Sequence, residues 1–372
     1  MKNIKMKTRN EVIEDQKAKY RLATKKVKSQ ILNSLVVSTG LSRDRLARKL
    51  KDTNKKTIRV KHNSGRKVIY DDSIVRELKR LWELLDYPCG KRMAAAMSPL
   101  LDALERHHSM SFQAEILIKL RTMSASTIDR LLFRVKQGLT LKGRSTTKPG
   151  TLLRQNIPLR LGTQWDDAKP GFTEIDLVAH CGASAVGEYV NTLDVTDIVT
   201  GWTETRAVVN KAQKHVFDAL LYIKQQLPFP LLGIDSDNGA EFINNQLFRY
   251  CKTENILFTR GRSYQKNDNC HVEQKNWSIV RRNIGYSRYE GWASVDILNA
   301  YYDNLRLFSN YFLPQAKLLH KHTIDNKTFK KYEIPLSPYQ RILNSSEFSC
   351  IKKKELELVF LSLDPVELKT HA

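Results

Sequence analysis

From Leu22 onward apolar residues recur at spacings of three and four, and Val27, Ile31, Leu32, Leu35 and Val36 predict a helix. Ser38-Thr39-Gly40 interrupts the pattern, and Ser42 is placed to cap a second, short helix with Leu46 and Leu50 inward. A helix, a short turn with a glycine and a basic helix read as a helix-turn-helix, which leaves Arg43, Arg45 and Arg48 to face outward. Further on, Asp72 is expected to cap a helix with Ile74, Val75, Leu78, Leu81 and Leu85 on one face, and 91–107 forms another with Met93, Met97, Leu100, Leu101 and Leu104 inward. A second helix-turn-helix is expected at 112–135. There Ser124 caps a helix with Ile128, Leu131, Leu132 and Val135 inside, so Ser126, Thr127 and Arg130 are free to meet DNA. The predicted organisation is an N-terminal region at 1–70, a second helical region at 71–140 and a basic, Gly- and Pro-punctuated linker at 141–163.

From 164 the period shortens. Segments 172–179, 188–195 and 202–209 read as three strands of an antiparallel meander. A helix at 212–226, a short apolar strand at 231–234, a helix at 241–254, a strand at 256–259, a polar loop at 261–269 and a long helix from Asn269 or Cys270 come next. That order implies an α/β core over 164–320: a mixed five-stranded sheet with flanking helices, preceded by an all-α region. The tail at 321–372 reads as a small DNA-binding or assembly module, with Leu356, Leu358 and Phe360 alternating as in a strand.

Charge sharpens this division. The net charge is +23, and residues 1–160 carry all of it, with 37 Lys and Arg against 14 Asp and Glu. A basic half joined to a neutral half suggests that one part grips a polyanion, double-stranded DNA, and the other does something else. No stretch is apolar enough to span a membrane, and the basic N-terminus lacks the apolar run of a secretory signal. The five cysteines are scattered and never form a Cys-x-x-Cys pair, which points to a reducing compartment and away from zinc ribbons. His180 and Cys181 have no second pair nearby and read as structural.

The chemistry is in the acids. Asp237 opens the run Asp237-Asn238-Gly239-Ala240-Glu241-Phe242 just past an apolar strand, Glu273 stands near a helix start with 35 residues between them, and Asp176 lies in the first strand. Carboxylates at apolar segments are costly to bury unpaired, and a divalent ion such as Mg²⁺ relieves that cost. Asp235 shares a strand face with Asp237, and Glu174 shares one with Asp176, so geometry alone leaves both as competitors.

These residues, their spacing and the element order resemble the ribonuclease H-like catalytic core of retroviral-type integrases and of DDE insertion-sequence transposases. The resemblance covers about 165–320, and the helix-turn-helix units and Pro338 to Leu343 look like the transposases in particular. It implies Asp176, Asp237 and Glu273 as catalytic metal ligands, in preference to Glu174 and Asp235, with Mg²⁺ or Mn²⁺ as two ions. It implies contacts to the DNA end from Asn269, Lys275, Asn276 and Arg282, with Trp277 standing where the retroviral members often have Lys. The implied protein is a transposase that binds terminal inverted repeats, cleaves DNA ends and transfers strands, works as a homo-oligomer and resides in the bacterial cytoplasm at the nucleoid. An integrase of another mobile element, a ribonuclease H-type nuclease and a transposase-derived DNA-binding regulator without catalysis are the alternatives.

Overall fold

The computed structural model describes residues 6–51, 69–136, 169–237, 239, 241–261, 270–324 and 327–370. The chain divides into two compact units, Met1–Lys67 and Val68–Ala372. The linker at 141–163, Asn238, Asn269 and most of the expected loop at 261–269 lie outside the described residues.

In the first unit α1 (Met6–Leu22), α2 (Lys25–Thr39) and α3 (Arg43–Lys51) enclose Ile13, Tyr20, Leu32, Leu35, Leu46 and Leu50. Gly40 ends α2 at φ 68°, a left-handed conformation that glycine adopts without strain, and its N–H donates to the Val36 carbonyl. Arg43, Arg45 and Arg48 are all exposed. Arg43 reaches back to α2, where it donates to Asn33 and, at 2.6 Å, to Ser29 Oγ.

The second unit opens with α4 (Asp72–Leu84), α5 (Gly90–Arg106), α6 (Ala114–Arg121), α7 (Ala125–Leu131) and α8 (Phe133–Lys136). Asp71 caps α4, one residue earlier than expected, by accepting from the Ser73 and Ile74 N–H groups. Ser124 caps α7 as the sequence suggested, with Ser126 and Arg130 exposed and Thr127 half-buried. These helices do not form a core of their own. Leu78, Trp82, Met97, Leu100 and Leu132 belong to one apolar cluster with Ile175, Leu193, Phe308 and Leu368.

The sheet is built from β1 (Phe172–Ala179), β2 (Asn191–Asp197), β3 (Thr203–Val208), β4 (Gly233–Ser236) and β5 (Leu257–Arg260). Its strand order is β3-β2-β1-β4-β5. β1, β2 and β3 pair antiparallel, while β4 lies parallel to β1 and β5 parallel to β4. This is the ribonuclease H-like mixed sheet. The parallel strands need crossovers, and α9 (Gln213–Gln226) and α10 (Asn245–Thr253) supply them. The strand expected at 231–234 is displaced to Gly233–Ser236, so Asp235 lies inside β4 and not after it.

The faces of the sheet differ because side chains alternate along a strand. Ile175 and Leu193 meet Val216, Leu220 and Leu247 of α9 and α10. The opposite face carries Glu174, Asp194, Asp235, Thr196 and Thr259, all buried. Above it run α11 (Cys270–Lys275), a π-helical turn (Asn276–Arg281) and α12 (Arg282–Ile284), then the long α13 (Gly291–Phe312). Two amides of α13 close the open edge of β3. Asn310 accepts from Thr203 N–H and donates to its carbonyl, both at 2.9 Å, and Asn299 does the same for Ala207 at 2.7 and 3.2 Å. An edge strand is thereby satisfied without a further strand.

The tail departs from expectation. Leu356, Leu358 and Phe360 lie in a helix, α15 (Cys350–Ser362), between α14 (Pro338–Asn344) and α16 (Pro365–Thr370). Before them β6 (Leu318–Ile324) and β7 (Lys327–Tyr332) form a hairpin. Among the described residues no helix is long and apolar enough to cross a membrane.

The α5–α7 junction has no spare room. Gly90 N–H donates to Asp129 Oδ1 at 2.9 Å, and a Cβ at Gly90 would stand 2.1 Å from the Ala125 carbonyl oxygen. Gly90→Ala is expected to destabilise the second unit by about 1–3 kcal/mol, read as a lower midpoint in denaturant with an unchanged slope.

Candidate active site

β1 carries Asp176 at a half-buried position near its middle. Asp176 Oδ1 accepts from Leu177 N–H at 2.8 Å, and Oδ2 accepts from Asn276 Nδ2 at 2.6 Å. Burial first, then the negative charges of Asp237 and Glu273, pushes the Asp176 carboxyl up to about 7. Asp194, opposite Asp176 in the β1–β2 register, is a third acidic neighbour.

Asp237 is half-buried immediately past β4. Its Oδ1 accepts from the Gly239 N–H at 2.8 Å. A Cβ at Gly239 would come within 2.9 Å of that oxygen and 2.7 Å of Glu241 Cδ, so both carboxylate side chains would have to shift. Burial raises the Asp237 carboxyl, with the Gly239 N–H opposing. Glu241 is raised as well, by burial and then by Asp237. Glu273 stands exposed in α11, one helical turn before Asn276.

The two competitors are occupied elsewhere. Asp235, fully buried, accepts from Thr259 Oγ1 of β5 at 2.5 Å. Glu174, also fully buried, accepts from the backbone N–H groups of His271 and Val272 at 2.8 and 3.0 Å.

Several side chains take roles other than those expected. Lys275, expected to contact DNA, is buried, with Nζ donating to the Gly201 carbonyl at 3.2 Å. Its partner in charge is Asp194, which lies opposite Asp176 in the β1–β2 register. Burial raises Asp194 and lowers Lys275, each charge opposing the other's shift. Asn276, also expected on DNA, spends its amide N–H on Asp176, while its Oδ1 is buried with no hydrogen-bond partner among the described residues. Arg282 donates to the Asp86 carbonyl and lies beside the rings of Tyr87 and Trp277. Trp277 itself is 49% exposed, an apolar plane one turn beyond Glu273. His180 is structural, as expected: its Nε2 meets Thr192 Oγ1 at 2.8 Å, Thr192 meets Tyr302 at 2.7 Å, and burial, with Arg281 adding to it, pulls the imidazole down to about 3.

The sequence did not single out Asp194 and Glu174 for these roles. The available signal was an acid inside a strand otherwise destined for burial, but only the register shows which neighbour neutralises it.

The set suits a hard divalent cation in charge and donor chemistry. Asp176 is a half-buried carboxyl group beside further acids, and every donor is oxygen. Asp176, Asp237 and Glu273 are the residues that would hold such an ion. Among the described residues no three Asp, Glu, His or Cys side chains stand close enough together to form a ready-made cage.

The raised Asp176 pKa has a thermodynamic sign. The folded chain keeps this proton to about pH 7, whereas an unfolded Asp loses it near ~3.9. Folded protein thus binds more protons in that window, and this contribution to stability is lost as pH rises through it. In chelator, the melting temperature of Asp176→Asn is expected to match wild type at about pH 4 and to exceed it increasingly towards about pH 8. A difference that stays constant across the window would contradict the burial-driven shift.

No protein-family model matches the sequence. Among solved structures, the catalytic core domain of BIV integrase aligns with a TM-score of 0.32 and 16% identity, over 47% of this chain and 94% of that one. The HTLV-2 integrase catalytic core domain in complex with magnesium aligns with a TM-score of 0.28 and 18% identity, over 43% and 93%. The uncharacterized protein y4rM of Sinorhizobium fredii (strain NBRC 101917 / NGR234) is 36% identical over 342 residues, which is 91% of this chain and 96% of that protein. With that identity along nearly the whole of both sequences, the chain belongs to the y4rM family.

Proposed function

We propose that the protein is a DNA transposase that cleaves the ends of its element and joins them to target DNA. The observation that carries this reading is the placement of the acids on a ribonuclease H-like sheet: Asp176 on the central strand, Asp237 just past the neighbouring parallel strand, and Glu273 on the helix that Asn276 bonds to Asp176. Breaking a phosphodiester requires an aligned oxygen nucleophile and stabilisation of the negative leaving oxygen, and bound divalent ions, usually two, supply both. The protein's own part is to hold oxygen donors on separate rigid elements. Asp176 sits on a central strand, Asp237 just past β4 and bonded to the Gly239 N–H, and Glu273 on a helix tied to the sheet. Exposed Trp277 offers a face on which a splayed base could stack.

Recognition of double-stranded DNA, in this reading the terminal inverted repeats, falls to the basic N-terminal portion. Arg45 and Arg48 on α3, together with Ser126 and Arg130 on α7, are exposed for that purpose. Two element ends must meet one target, which calls for a homo-oligomer. A transposase-derived regulator without catalysis is the second reading. It is favoured by the lack, among the described residues, of three acids already grouped to hold an ion.

The deciding measurement is release of a 3′-hydroxyl end, with Mg²⁺ or Mn²⁺, from duplexes carrying the DNA that flanks the coding sequence. Wild type is expected to cleave, and Glu273→Gln to lose about 10²–10³-fold in rate with gel-shift affinity unchanged. Equal cleavage by both proteins would remove Glu273 from the site, and repeat binding without any cleavage by wild type would select the regulator. For the grip on DNA, Arg45→Ala combined with Arg48→Ala is expected to reduce the slope of log K against log salt by about 0.9 for each phosphate that the protein no longer neutralises. Arg43 is left intact because its bonds to Ser29 and Asn33 support the helix pair itself.

A further inference from the structure

Glu174 lies two residues before Asp176 on β1, so both side chains leave the same face of the strand, about 7 Å apart along it. It is fully buried. Its Oε2 accepts two backbone N–H groups, from His271 at 2.8 Å and from Val272 at 3.0 Å. Those residues form the first turn of α11, and Glu273 is the next residue.

The first N–H groups of a helix have no partner within it, and their partial positive charge favours an anion. A capping side chain ordinarily comes from the residue just before the helix. Here a carboxylate from a strand 97 positions earlier serves His271. Glu174 thus holds the helix start at residues 271 and 272, and Asp176 holds residue 276 through the Asn276 amide. Glu273 lies between the two clamps, and both clamps come from the strand that carries Asp176.

We propose that Glu174 is a positioning residue that fixes Glu273 relative to Asp176 by anchoring the N-terminus of α11 to β1. The proposal rests on the reading of Asp176 and Glu273 as partners in DNA cleavage, and it adds a residue that neither touches substrate nor holds an ion. Hydrogen bonds to a charged group in a buried site are strong. Deleting this carboxylate leaves two helix N–H groups without its oxygen as acceptor and frees the helix start to shift.

The test uses the full-length protein with Glu174→Ala and Glu174→Gln, the latter keeping the size and one acceptor oxygen. Hydrogen exchange is followed in the peptide covering 270–276, with β2 and β3 as the internal reference for folding. Glu174→Ala is expected to speed exchange in that peptide by about 10- to 100-fold while leaving β2 and β3 protected, with Glu174→Gln between it and wild type. Cleavage is expected to fall in kcat in the same order, with KM for DNA unchanged. Unchanged exchange in a folded Glu174→Ala protein overturns the anchor. Faster exchange with wild-type kcat overturns its link to the chemistry. If Glu174→Ala does not fold, Glu174→Gln decides on the same two readouts. If wild type itself does not cleave, the reading of function fails, and the exchange measurement still decides whether Glu174 holds the helix.

Discussion

Burying several carboxylates on one face of a sheet is the constraint around which the second unit is built. An ionised carboxylate in a dry environment costs several kcal/mol unless paired or hydrogen-bonded, and this face holds Glu174, Asp176, Asp194 and Asp235. Each has a different remedy. Glu174 takes helix N–H groups, Asp235 takes Thr259, and Asp194 takes Thr196 at 3.1 Å with Lys275 nearby. Asp176 has the Leu177 N–H and the Asn276 amide, and it also faces two further acids. Glu174 and Asp235 are settled by the protein itself, whereas one buried oxygen of Asp194 has no hydrogen-bond partner among the described residues. Burial raises both Asp194 and Asp176, and at Asp176 the charges of Asp237 and Glu273 add to it.

The helical run from α11 to α13 meets polar groups of the sheet with side chains that polarity alone would have placed outside. Asn299 and Asn310 complete the edge of β3, and Glu204 is matched by the Arg306 guanidinium at 2.6 and 3.0 Å. Breaking one partner of such a pair is far costlier than never having formed it. A polar layer bonded in this way favours precise placement of oxygen donors. The π-helical turn right after Lys275 belongs to the same layer. An extra residue in the helical repeat rotates the next turn about the helix axis, and here Ile279 and Val280 are buried while Trp277 is left exposed.

Much of this architecture is legible in the sequence because it rests on local periodicity. The meander, the helices that follow it and the order of elements along the chain come from runs of period two and 3.6, and the interval from Asp237 to Glu273 singles out the candidate acids. The unread parts depend on contacts between distant segments. Glu174 and Asp176 share a face, so alternation cannot say which one meets a helix end and which meets other acids. Lys275 looked like a surface cation because lysine is rarely buried, and only Asp194, brought opposite Asp176 by register, explains its place. Leu356, Leu358 and Phe360 alternate for too few residues to separate a strand from one side of a helix, and the surrounding lysines gave no further sign. The β6–β7 hairpin is rich in Lys and His, and its pattern is hidden by charge.

The distribution of charge along the chain gives the acidic face its context. A cluster of carboxylates repels a phosphodiester, so it cannot hold nucleic acid by itself. The basic excess of the whole protein lies in residues 1–160, and the remainder is balanced. Under the proposed function, that separation divides labour between grip and chemistry. Phosphate contacts made by the basic portion would supply affinity that weakens with salt, while the acids need only attract cations and hold them in place. Placing positive side chains directly among the acids would neutralise Asp176 from within and weaken its hold on a metal. The lysine that does lie there, Lys275, donates to the Gly201 carbonyl and feels the charge of Asp194. Asp194 is thus the acid that opposes the lowering of its pKa, and Asp176 bonds to the uncharged Asn276 amide instead.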